Sequence, residues 1–455
     1  MCSGESFAAS VRRVRSFWEA SEGKTTEQPP ARVAIEGLKT LTAVHFAMVN
    51  GDKQVDRRTF LQTTAVAGGA FSVAGCMGGG GSDTAVLGML QPFTGEVAWV
   101  GESSEVAMNI AVDQINEAGG MNGTDIEIVT EDTEANQQTA TSALRKLIDS
   151  NGASAILGPT SFTLPAVMDI AQESQVPIIS PTAGTSVLDD RGGNYIFRTS
   201  ASDSLGGKAM ARIARDNGYE EIAVMYVDNQ GGRSFGQTVI EGFEALGGTI
   251  TTEVALTPGK SSYRSELTEA FQDEPEFVSL TAGTQTGQII LDQWDEQGLG
   301  GVWGLSNDMQ TDSFAADVGA PLEDSYAIGP LPGGEKYDEF AAEYESRAGE
   351  SPQPFTPEGY DATMLAALAA EAAESNSGND LAGEIPAVSK DGETVTSFQA
   401  GADALDNGTN IDYDGASGPV DITSQGNIRS SFAVFQSTGS EWEQVGEIAA
   451  DSLDF

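Results

Sequence analysis

Residues Leu87 to Gly123, LGMLQPFTGEVAWVGESSEVAMNIAVDQINEAGGMNG, read as a strand, a glycine-bearing loop, an amphipathic helix and a turn. Val86, Leu87, Met89 and Leu90 form a short apolar run that Pro92 ends, the pattern of a buried strand. Thr94-Gly95 and Gly101 bracket a loop that carries Trp99. From Ser104 the apolar residues Ala107, Ile110, Ala111, Ile115 and Ala118 recur at helical spacing, and Gly119-Gly120 stops the helix where a left-handed C-cap is expected. The stretch is a βα unit.

The same rhythm repeats downstream. Strand Ile126–Val129, helix Gln138–Ile148, strand Ala155–Leu157, helix Leu164–Glu173 and strand Pro177–Ile179 make a first cycle. A second starts after Arg198, with helices Leu205–Asn217, Phe235–Leu246, Tyr263–Phe271 and Gln288–Gln297 alternating with strands Ile222–Tyr226, Thr249–Ala255, Phe277–Leu280 and Gly301–Leu305. Such alternation implies parallel sheets with helices on both faces. Tyr337 to Ser375 is helical and alanine-rich, Glu384 to Asn410 holds another helix, and Asn427–Gln436 with Trp442–Ile448 reads as a closing β-hairpin.

The run TGEVAWVG followed by A-x-D-x-I-N-x-x-G-G-M-x-G resembles the opening of the branched-chain amino-acid (leucine, isoleucine, valine) binding proteins of ABC importers. The likeness continues through Asp132, Gly158-Pro159, Ser180-Pro181 and Arg198-Thr199 to Gly418-Pro419. It implies an α/β protein of the periplasmic-binding-protein type I fold: two doubly wound parallel-sheet lobes joined by three hinge crossings. Placing the crossings near Ser200-Ser202, Ile328-Pro332 and Gly418-Val420 assigns residues 83–201 and 331–418 to lobe one, and 202–330 and 419–455 to lobe two.

Composition bounds the function. The 455 residues carry a formal charge of −45 with 39% hydrophobic residues, which excludes a nucleic-acid binder and a membrane bundle. Setting aside residues 1–75, with 9 basic and 7 acidic side chains, leaves 14 basic against 61 acidic. An acidic hydrated surface of this kind points to a salt-adapted, haloarchaeon-like organism, in which molar salt shortens the Debye length to about 3 Å and screens the repulsion. Both cysteines, Cys2 and Cys76, and the one histidine, His45, precede the folded body. The body therefore offers neither a transition-metal site nor a Cys/His or Ser-His-Asp nucleophile. No G-x-G-x-x-G follows a strand and no G-x-x-x-x-G-K-[ST] loop occurs, so nucleotide binding has no support. Neither an enzyme nor a cofactor is expected.

Residues 1–47 lack clear periodicity and read as a misassigned extension before a start at Met48, which precursor peptides reaching Met1 would refute. Arg57-Arg58 with Phe60-Leu61 is a twin-arginine export signature, and an uncharged run from Thr59 to Gly75 leads to Val73-Ala74-Gly75-Cys76, which resembles a lipobox. Residues 48–75 are then a signal peptide, Cys76 the lipid anchor, and 76–82 a glycine-rich tether.

Ligand chemistry is expected where strands end and helices begin, because helix N-termini hold a carboxylate without a basic side chain. Gly158 to Thr163 precedes a helix, so the Ser161 and Thr163 hydroxyls either contact a ligand or cap that helix. The resemblance assigns further contacts. Ala183 by its carbonyl and Thr185 by its hydroxyl would hold the amino and carboxylate groups of the ligand. Trp99 and Val100 would form a wall, Phe235 a lid lacking the tyrosine hydroxyl of relatives, and Asp308 the partner of an ammonium. The loop Thr281 to Gln285 lacks the tyrosine of leucine binders and offers Thr284. The implied protein is a monomeric, lipid-anchored solute-binding protein outside the cytoplasmic membrane. It would deliver an amino-acid-like ligand to ABC permease subunits. A ligand-sensing receptor domain of the same fold, or a binder of an amide, urea or short carboxylate, is the alternative.

Overall fold

The computed structural model describes residues 84–95, 97–331 and 333–455. The export, lipid-anchor and tether assignments, with Arg57, Arg58 and Cys76, lie outside the described residues.

Lobe one opens with β1 (Ala85–Gln91), α1 (Trp99–Glu117), β2 (Ile126–Asp132), α2 (Gln137–Asp149), β3 (Ala155–Leu157), α3 (Leu164–Ser174), β4 (Ile178–Ser180), α4 (Val187–Arg191) and β5 (Ile196–Arg198). All five strands are parallel, in the order β2-β1-β3-β4-β5. The helix α1 begins at Trp99, ahead of the first periodic residue, because Gly101 lets the backbone lie against β1: a Cβ there would stand 2.1 Å from the Pro92 carbonyl oxygen. The loop between them is tied down by Asp132, whose carboxylate accepts the Phe93 N–H (2.9 Å) and the Thr94 hydroxyl (3.0 Å).

Lobe two follows with α5 (Asp203–Asp216), β6 (Glu221–Val227), α6 (Gln230–Ala245), β7 (Thr249–Leu256), α7 (Arg264–Ala270), β8 (Phe277–Thr281), α8 (Thr284–Gln297), β9 (Val302–Leu305), α9 (Asp312–Val318) and β10 (Tyr326–Pro330). The chain then returns to lobe one for α10 (Tyr337–Ala348), α11 (Thr356–Ala373), α12 (Gly378–Glu384), β11 (Glu393–Val395), α13 (Phe398–Asp406) and β12 (Ile411–Tyr413). It ends in lobe two with the antiparallel pair β13 (Phe432–Ser437) and β14 (Trp442–Ile448), which completes a seven-stranded sheet in the order β14-β13-β10-β9-β8-β6-β7. Asn229 starts α6 early by accepting the Gly232 N–H (2.9 Å) with its side chain.

Every residue of α11 from Thr356 to Ala370 is buried, as suits a helix that is apolar all round. Its alanines let α1 pack closely against it, and Tyr360 donates its hydroxyl to Gln114 at the end of that contact. The last crossing differs from the expected Gly418-Val420. Val420, Ile422 and Ile428 pack into the lobe-one core with Leu87 and Leu365, whereas Phe432 belongs to the lobe-two core, so the chain crosses at 429–431. The turn at Gly418 (φ +116°) stays within lobe one, closing back through a bridge between Asp414 and Pro419.

Candidate functional site

Between the lobes lies a small, partly enclosed cavity. Its lobe-one wall comes from the turns after β3 and β4, with Thr160, Ser161 and Phe162 on one and Thr182 and Gly184 on the other. Lobe two contributes Phe235 from α6, Thr281 from the end of β8, and Asn307-Asp308 after β9. These are carboxyl ends of parallel strands, where helix N-termini converge. Three buried hydroxyl oxygens in this lining, of Thr160, Thr182 and Thr281, have no hydrogen-bond partner in the protein. Buried polar atoms ordinarily have partners, so these three hydroxyls are available to a polar group in the cavity.

Asp203, the first residue of α5, also lines the cavity, and its Oδ2 is buried without a hydrogen-bond partner. Burial pushes its pKa up to about 7, with Asp308 and Asp189 adding to the rise and Arg198 and the Ser234 hydroxyl opposing it. Asp203 leans on Gly184, where a Cβ would come within 2.0 Å of the carboxylate. The backbone N–H of Asp203 meets the Gly184 carbonyl at 2.6 Å.

Arg198 at the end of β5 is wholly buried and organises the turn after β4. Its Nη1 donates to the carbonyls of Ala183 (3.4 Å), Gly184 (2.9 Å) and Thr185 (3.1 Å), and its Nη2 pairs with Asp189. Asp189 in turn accepts the hydroxyls of Ser202 (2.8 Å) and Ser204, at the start of lobe two. The α6 side of lobe two reaches the same turn: Ser234 accepts the Ser186 N–H (2.8 Å), and Gln230 donates to the Thr185 hydroxyl (3.3 Å).

Of the residues expected to touch ligand, Ser161, Phe235 and Asp308 share the cavity, and Val100 joins them from the first turn of α1. Trp99 and Thr284 face a neighbouring interlobe cavity instead, because α1 starts at Trp99 and turns its indole away from Val100's side. Thr163, Ala183 and Thr185 are buried outside the lining. Neither Ser161 nor Thr163 caps α3 with its side chain. Ser161 accepts the Thr185 N–H (3.1 Å), which leaves its own O–H to donate into the cavity. The Ala183 carbonyl is turned to Arg198, and the Thr185 hydroxyl to Gln230.

Asp203 and Phe355 are among the lining residues that the sequence reading did not assign to the site. Asp203 stands after Ser202 in the pattern of an ordinary acid in a helix's first turn, and nothing local marks it as buried. Phe355, in left-handed backbone (φ +71°) just before α11, adds an aromatic wall from lobe one. The run Gly349 to Pro357, with Pro352, Pro354 and Pro357, is the local signal of a turn there.

Residues 84–441 match the family described as periplasmic binding protein. The chain belongs to that family. Periplasmic binding proteins are non-catalytic, and the role established for this one is the binding of a small solute. The chain is 26% identical over 351 residues, 74% of its length and 83% of the relative's, to the chemotactic signal transduction system substrate-binding protein BasB of Halobacterium salinarum. It is 27% identical over 221 residues to a leucine-, isoleucine-, valine-, threonine- and alanine-binding protein of Pseudomonas aeruginosa, covering 48% of this chain and 59% of that one. Among solved structures, the leucine binding protein LivK of Thermotoga maritima superposes with a TM-score of 0.71 at 22% identity, over 81% of this chain and 99% of that one. This periplasmic binding protein thus has the type I architecture. Among the described residues no helix is long and apolar enough to cross a membrane.

Proposed function

We propose that the protein captures a zwitterionic amino acid with an apolar side chain and presents it to ABC permease subunits. The observation that carries this reading is the charge pattern of the cavity. Two carboxylates, Asp203 and Asp308, line it with no lysine or arginine among the lining residues, so a ligand ammonium is favoured and a bare anion is not. The ligand carboxylate would meet the hydroxyls of Thr160, Ser161 and Thr182 near the N-terminus of α3. The side chain would lie among Val100, Phe162, Phe235 and Phe355. Thr185 acts one step back, through the N–H it gives Ser161. The relative from Pseudomonas aeruginosa, whose name includes five small neutral amino acids, supports the same class.

Calorimetry at molar salt with leucine, its amide, its des-amino acid and benzoate tests the proposal. Leucine is expected to bind and the two anions lacking an ammonium to fail; binding of benzoate or the des-amino acid with leucine's affinity would refute it. A second reading, delivery to a signal-transducing receptor, draws on the chemotactic role in the name of the Halobacterium salinarum relative. Disrupting the gene separates the two, since a permease partner predicts lost uptake and a receptor partner predicts lost taxis. We also propose export by the twin-arginine route, lipid anchoring at Cys76, and a salt-adapted, haloarchaeon-like source. Folded precursor should accumulate in the cytoplasm when Arg57-Arg58 becomes Lys-Lys, and unchanged fractionation would exclude that route.

A further inference from the structure

The first turn of α11 is bonded to the chain just before the first crossing and shares a cavity with the second. Thr199, before the first crossing, donates its hydroxyl to the Glu358 carbonyl (2.8 Å). Pro330 and Leu331, at the second, line the same interlobe cavity as Glu358. Ser417, on the turn that stays within lobe one, donates its N–H to Asp361 (2.8 Å). The Glu358 side chain is 4% exposed, and its Oε2 has no hydrogen-bond partner. The cavity it lines is walled on the far side by lobe two, with Gln310, Phe435 and Gln444, and is distinct from the one proposed for ligand.

A carboxyl in that position is stable only while it is neutral. Asp361, one turn along α11, opposes its ionisation, and the other titratable groups around the cavity are Tyr337 at the start of α10, Glu350 on the loop after α10, and Asp312 across the cavity at the start of α9. No lysine or arginine lines the space. Separating the lobes would remove the far wall and admit water to the carboxyl.

We propose that Glu358 is a proton-operated element of the hinge, which stays buried in the closed form while protonated and drives the lobes apart when it ionises. Burial, with Asp361 adding to it and a backbone hydrogen bond opposing, raises its pKa from 4.5 to about 8 in this arrangement. Opening returns it towards the ordinary value, so closure takes up a proton. The bias to the closed form is therefore fully present at low pH, falls about tenfold per pH unit as pH rises, and is gone above the closed-form value. Asp361 (about 6) keeps its partners Tyr413, Ala416 and Ser417 within lobe one, so opening leaves it alone. Asp203 (about 7) is the rival group, and it has largely titrated before the last part of the window.

Small-angle scattering of the ligand-free full chain in molar KCl, from pH 5 to 9, tests the proposal without reference to any ligand. The radius of gyration is expected to rise between roughly pH 5 and 8 in the wild type and in Asp203→Asn, and to rise less there in Glu358→Gln. A wild-type radius constant across that interval would overturn the proposal, and that result needs no variant. So would a rise in Glu358→Gln equal to that of the wild type.

Discussion

Arg198→Met is expected to lower the free energy of unfolding by about 3–5 kcal/mol, the usual loss when one partner of a buried ion pair is removed. The guanidinium is wholly buried and holds three consecutive carbonyls and the Asp189 carboxylate at once. Methionine fills much of the same volume, so what is lost is charge and hydrogen bonding rather than packing. Asp189 would keep only the Ser202 and Ser204 hydroxyls, and Asp203 would lose the cation that holds its pKa down. Arg198→Lys should recover only part of the loss, because an ammonium cannot span the carbonyls and the carboxylate together. Denaturant unfolding at fixed high salt measures both variants. A loss below about 1 kcal/mol for Arg198→Met would mean that the network is a neighbour of the hinge rather than its support.

Asp308→Asn is expected to weaken an α-amino acid by about ten- to a hundred-fold, corresponding to about 1.5–3 kcal/mol for a hydrogen bond to a charged group. The substitution keeps the shape of the cavity and removes one of its two carboxylates. The loss should fall on ligands with an ammonium and spare those without one, so the measurement is a ratio across leucine and its des-amino analogue, not a single affinity. Equal weakening of both, or of neither, would remove Asp308 from the ammonium site and leave Asp203 to carry that contact alone.

The alternation of apolar strands and helices made the two lobes legible, because strands buried under helices on both faces must be short apolar runs. The β3 strand, Ala155–Leu157, is read to the residue. Helix starts were less legible: α1 and α6 both begin before their first periodic apolar residue, since Gly101 and the Asn229 cap extend them across the sheet edge. The last crossing was misplaced because Val420, Ile422 and Ile428 carry no label saying which core they join. In the site, Ser161 was legible from its place between a strand end and a helix, whereas Phe235 and Asp308 came from the family resemblance; all three line the cavity. Ala183 and Thr185 were assigned to the ligand, but Arg198 and Gln230 claim their polar atoms, and that competition exists only once β5 and α6 are brought beside the turn. Asp203 and Phe355 depend on burial and on one left-handed residue, neither of which has a sequence period.

The interleaving of the two lobes fixes when the chain can fold. The contact between α1 and α11 joins residues 246 positions apart, from Gln114 to Tyr360, and the lobe-one core is finished only by Ile428. A ribosome releasing this chain therefore sets free the five strands of lobe one long before the helix that covers them. Pairings of such range close slowly and leave apolar surface uncovered in the meantime. Assembly of lobe one is consequently a late event of synthesis, gated by its last third, and a truncation before α11 should yield aggregate rather than a half-domain.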